Sequence, residues 1–141
     1  MVEKNIFLTP TFQIFLFEGG SVENLPKPWL ANLKRARGHG VKFLLGTDTW
    51  ADSVTPYGPF NAGELKLLVD VLEMTPLEAI TCATKYGAEV CGIGDRLGTI
   101  EKGKIADIVI VKKDPSANIE VLLDRENIKY VIKEGKLVAE H

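Results

Sequence analysis

Asp48 is the residue here whose type and position could do chemistry. It closes Gly46-Thr47-Asp48, directly after the apolar run Val41-Lys42-Phe43-Leu44-Leu45. A carboxylate at the end of a buried strand can ligate a divalent cation and can take up a proton from water. It can equally be a loop aspartate that caps a turn, and position alone leaves both readings open. Nitrogen donors are scarce, since the chain has two histidines, His39 and His141. His39 lies in Arg37-Gly38-His39-Gly40, before the run rather than after it, and His141 is the last residue. There is no His-x-His and no HExxH. One carboxylate falls short of the roughly three protein ligands of a catalytic zinc site. The two cysteines, Cys82 and Cys91, form no CxxC, and both are expected as buried free thiols in or beside a helix.

The elements around Asp48 can be read from periodicity. Residues 5–17 are rich in Phe, Ile and Leu, with strand propensity up to about Thr9 and a break at Pro10. Pro28 suits a first helical turn, and Trp29, Leu30, Leu33 and Ala36 recur at helical spacing. Gly38 and Gly40 stop that helix, and residues 41–45 read as a buried strand. Asn61 with Glu64 predicts a capping box for a helix carrying Leu65, Leu68, Val69 and Leu72. Thr75-Pro76-Leu77-Glu78 predicts a second capped start, with the helix running to about Val90. Beyond Gly98 the pattern turns to strands at 105–111, 128–133 and 136–139, with a turn at Glu134-Gly135. Strand and helix alternation first, then a strand-rich module, reads as an α/β fold. Two parallel strands cannot bury both of their faces, so the rest of that sheet must come from elsewhere.

Composition narrows the function classes. The 141 residues are 45% hydrophobic and 26% charged, which is globular, and the net charge is −2. No Lys/Arg stripe favours nucleic acid or an anionic membrane surface. No run approaches the ~20 apolar residues that span a bilayer. No basic-then-apolar leader is evident at the N-terminus, and a cytoplasmic location is expected.

Three ordered stretches resemble the end of a metal-dependent amidohydrolase of the imidazolonepropionase/prolidase-like type. Residues 41–48 are similar to that family's eighth barrel strand and its terminal aspartate, and Phe7-Leu8-Thr9-Pro10-Thr11 to its seventh strand. Met74-Thr75-Pro76-Leu77-Glu78-Ala79-Ile80, with Ala83-Thr84 and Ala88-Glu89, follows. Residues 98–111, Asp114-Pro115 and the closing 131–138 resemble its C-terminal β-sandwich segment. The resemblance implies a C-terminal fragment of a (β/α)8 TIM-like barrel over residues 1–92, and a small β module over 93–141. It implies a hydrolase of C–N bonds in amide, cyclic amide or dipeptide substrates. Asp48 would be the metal-binding and proton-shuttling residue, with zinc or another divalent metal in the complete enzyme. The family's other ligands, a His-x-His pair, a lysine or glutamate and further histidines, would come from a missing N-terminal barrel portion. The isolated chain is therefore expected to bind no metal and to be inactive. Tyr57 and Asn61 fall where relatives place substrate-facing residues, although Tyr57 stands where several carry histidine, and Trp50, two past Asp48 where the family usually has small residues, could wall a substrate pocket. Packing and capping explain these three as well, and Trp50 could instead cover surface left bare by missing strands. Asp107 resembles a structural aspartate of the sandwich strand. The alternative is a non-enzymatic, self-associating α/β domain derived from such an enzyme, pairing through open edges at Phe7 and Val41.

Overall fold

The computed structural model describes residues 1–50, 55 and 57–141. Among the described residues, five α-helices precede a three-stranded sheet: α1 Phe12–Phe17, α2 Lys27–Gly38, α3 Pro59–Leu72, α4 Pro76–Ala83, α5 Lys85–Val90, then β1 Ile108–Val111, β2 Ile128–Lys133 and β3 Lys136–Glu140. Among the described residues no helix is long and apolar enough to cross a membrane.

The two expected N-terminal strands meet, but only at one point. Leu8 and Phe43 form an isolated parallel bridge. The Leu8 amide donates to the Lys42 carbonyl at 3.0 Å, and the Leu44 amide donates to the Leu8 carbonyl at 2.9 Å. A parallel strand is stabilised from both flanks, and here each segment has one neighbour, so pairing does not extend into a ladder. α2 feeds the second segment through Gly40, whose φ of 77° turns the chain. The Val41 and Gly40 amides then donate back to Ala36 and Arg37, closing the helix end.

α3 is the centre of the core. Its Leu65, Leu67, Leu68, Val71 and Leu72 are buried with Phe12, Leu33, Phe43, Met74, Ala79 and Cys82. Ile119, from the 3-10 turn Ile119–Leu123, joins the same cluster. The Thr75/Glu78 capping box forms as expected: the Glu78 amide donates to Thr75 Oγ1 at 3.2 Å, and the Thr75 amide to Glu78 Oε2 at 2.7 Å. The helix that follows is split, however, rather than continuous to Val90. Thr81 and Thr84 each donate a hydroxyl to the carbonyl four residues back, at 2.8 Å, a bond that bends helices, and at Thr84 φ of −107° and ψ of −77° depart from ideal helical values. Cys82 is buried, but Cys91 is exposed, because it caps the end of α5 instead of facing its core side.

The sheet is antiparallel, in the order β1-β2-β3, with Val109 opposite Val131 and Val131 opposite Ala139. β1 begins at Ile108, later than the strand expected from 105. Glu134-Gly135, both at positive φ, make the two-residue hairpin between Lys133 and Lys136. Asp107 holds that hairpin, its Oδ1 accepting from the Glu134 amide at 2.7 Å.

Candidate active site

A close approach keeps the ends of the parallel segments together. A Cβ on Gly46 would lie 2.5 Å from Thr9 Cγ2, so the chains stay adjacent past the bridge, where a side chain at 46 would force Thr9 aside. Asp48 follows two residues later. It is solvent-exposed and sits at φ 55°, a left-handed backbone that aspartate tolerates better than most residues. Its carboxylate is thus presented at the end of the segment, beyond the packed Thr47.

The surroundings of Asp48 are part polar and part aromatic. Thr47 Oγ1 contacts Thr49 Oγ1 and lies 3.4 Å from Asn61 Oδ1. The Trp50 amide donates to Thr55 Oγ1 at 3.3 Å. The Trp50 ring is 57% exposed and rests edge-on against Phe17, with centroids 6.0 Å apart. Phe17 in turn packs on Phe60 at 5.7 Å. An aromatic ledge therefore borders the Asp48 tip, and Tyr57 stands exposed on the same loop. The loop residues 51–54 and 56 lie outside the described residues.

The expected Asn61/Glu64 capping box does not form. α3 starts earlier, at Pro59, with Gly58 as its cap and no side-chain cap bond. Asn61 is exposed and bonded toward Thr47 instead. Glu64 is fully buried, and its two oxygens accept from the amides of Phe12 at 3.0 Å and Gln13 at 2.7 Å. Burial pushes its carboxyl up from 4.5 to about 7, opposed by those two amides. The signal was present in the sequence: Phe60, Glu64, Leu68 and Leu72 recur every four residues, which puts Glu64 on the apolar face.

Cys82 is no candidate nucleophile. Burial, with a smaller contribution from the Glu78 carboxylate, pushes its thiol up to about 11, and a protonated thiol is inert. His39 is exposed at the end of α2, ahead of the second segment, and His141 is exposed at the last position. Among the described residues no group of three or more His, Cys, Asp or Glu side chains could hold a metal ion.

Comparison with known proteins gives these features a setting. The profile of the amidohydrolase family matches residues 1–138. An ochratoxinase of Aspergillus niger is 35% identical, across 97% of this chain and 30% of its own length. An imidazolonepropionase of Thermoplasma volcanium is 38% identical, across 70% of this chain and 24% of its own. The crystal structure of a Xaa-Pro dipeptidase with methionine bound in its active site superposes with a TM-score of 0.78 and 33% identity. That match covers 100% of this chain and 36% of the other. These 141 residues thus span a quarter to about a third of the proteins they resemble, and their fold is that of part of such a protein.

Proposed function

Since the chain belongs to the amidohydrolase family, we propose that it is the C-terminal portion of a metal-dependent hydrolase of C–N bonds, to which it contributes Asp48. One observation carries the reading: Asp48 is exposed just past the open end of two parallel segments joined at Leu8 and Phe43. In a (β/α)8 barrel the reactive groups stand at that end of the strands. On this reading residues 1–92 are a partial barrel whose seventh and eighth strands are these two segments, and residues 93–141 are the β module. Asp48 supplies one metal ligand, and its carboxylate can carry a proton between water and a leaving nitrogen. The remaining ligands come from residues other than these 141, and zinc or a similar divalent cation suits the mixed oxygen and nitrogen set. Amides, cyclic amides and dipeptides are the substrate classes. Trp50 and Tyr57 offer apolar surface and Asn61 a polar contact at the mouth. A reducing cytoplasm is the compartment that goes with the two free cysteines.

The test is a chimera in which these 141 residues replace the matching part of the Aspergillus niger ochratoxinase. The expected result is metal-dependent hydrolysis of at least one substrate from an amide, cyclic amide and dipeptide panel. Asp48→Asn should lower it roughly a hundredfold or more. A folded, metal-loaded chimera in which the substitution changes nothing would rule the reading out.

A second reading is favoured by the apolar side chains at the surface, Leu77 and Val90 in α4 and α5 and Ile100 at 86% exposure. A self-associating, non-enzymatic domain would bury them between copies. Sedimentation of the 141-residue chain decides this reading: a monodisperse monomer would end it.

A further inference from the structure

We propose that Glu64 is a positioning residue, a buried latch that ties the turn at residues 10–13 to the helix bracing the Asp48 tip and so sets the shape of the mouth. Its role in hydrolysis rests on the reading of Asp48 given above.

Glu64 is buried on α3, as are Leu65, Leu67 and Leu68 after it, in a position where an apolar residue would pack without desolvating a charge. Its use is structural at long range. The amides of Phe12 and Gln13 open α1, so neither has an acceptor within its own helix. Glu64, more than fifty residues away in sequence, takes both. Thr11, just before them, is held at φ 53°, ψ 48°, which a β-branched residue adopts only when its surroundings impose it. Gly63 shows how near the turn lies: a Cβ there would fall 2.8–2.9 Å from the Gln13 side-chain amide. Almost one turn earlier on α3, Asn61 reaches Thr47, the neighbour of Asp48. A single turn of α3 therefore holds both tips, one through Glu64 and the other through Asn61.

Apart from Lys27 at the start of α2, the charged groups on the elements packed against α3 are engaged elsewhere. α1 carries none. On α2, Lys34 pairs with Glu73, Arg35 bonds Asn32, and Arg37 pairs with Glu78 of α4. Lys66 of α3 pairs with Asp70 and with Glu120 of the 119–123 turn. Burial and the two amides alone set the proton affinity of Glu64. Losing the proton strengthens both amide bonds, and gaining it weakens the grip on residues 12 and 13.

The experiment is an amide NMR titration of the 141-residue chain from pH 5 to 8.5, with Glu64→Gln alongside. The expected result is that Phe12 and Gln13 titrate together with a midpoint near 7. Thr47 and Asp48 should move with the same midpoint, and Val131 in β2 should not. In Glu64→Gln the transition should vanish from all four. Persistence in the variant would assign it to a group other than Glu64 and would overturn the proposal. So would a transition at Phe12 and Gln13 that leaves Thr47 and Asp48 still, since the latch would then be local. If the variant does not fold, the wild-type titration decides between these outcomes by which residues move. Hydrolysis is not read, so an inactive chimera would sink the Asp48 reading without touching this one.

Discussion

The C-terminal sheet and the N-terminal parallel pair contrast in how far their backbone pairing extends. β1, β2 and β3 are joined by a two-residue hairpin and a connection through two 3-10 turns, and each strand pairs with the next in sequence. Residues 8 and 43 meet across a long connection, and Leu8 makes two hydrogen bonds, to Lys42 and from Leu44, where the pairing stops. Antiparallel pairing closes locally. Parallel pairing needs crossovers and flanking strands, and it is completed only when the whole barrel or doubly wound sheet is present. What holds the parallel pair is packing on α3, together with single long-range contacts such as the Glu64 carboxylate on the Phe12 and Gln13 amides.

If that contrast is right, the two regions should respond very differently to side-chain loss. Phe43, 2% exposed at the bridge, sits in the core, and Phe43→Ala should cost about 3–5 kcal/mol in urea unfolding. Val138→Ala, on the exposed β3 edge, should stay within about 0.5 kcal/mol. Similar losses at both sites would break the comparison.

The next effect is pH-dependent and sharpens the role of the N-terminal packing. Glu64 holds its proton up to about pH 7 when folded and releases it near 4.5 when unfolded. Between those values the folded state binds the extra proton, so the contribution of Glu64 to stability is greatest below 4.5 and falls as pH rises to 7. The loss amounts to about 3 kcal/mol, after which the contribution is flat. Urea unfolding at about pH 4.5, 6 and 7.5 should show this decline, and Glu64→Gln should flatten it. Stability that rises through the same window in both proteins would contradict the assignment. A smaller effect concerns a device that depends on local sequence alone: Thr75→Ala removes the α4 cap and should cost about 1 kcal/mol, measured the same way.

Local sequence rules worked where local interactions decide. The Thr75-Pro76-Leu77-Glu78 start, the Gly40 helix stop and the Glu134-Gly135 hairpin were all legible, because each is settled within a few residues. The same rules misread Asn61 and Glu64. The spacing fits a capping box, but burial of Glu64 against residues 12 and 13 is a long-range fact that sequence proximity does not carry. Helix α1 was missed for a related reason. Its Phe and Ile residues favour strand locally, and its first two amides are satisfied from α3. The split at Thr84 was hidden too, since hydroxyls that bond back to the helix look like ordinary helix residues in a periodicity count. For the candidate site, the position of Asp48 was legible, whereas the aromatic ledge of Phe17, Trp50 and Phe60 joins three separate segments and was not.

The central claim is that Asp48 is one donor of a metal site completed by other polypeptide. Metal content of the purified ochratoxinase chimera, with and without Asp48→Asn, tests it most directly. The account predicts bound divalent metal that survives desalting in the parent and falls to background in the variant while the fold is kept. Equal metal in both proteins would contradict it.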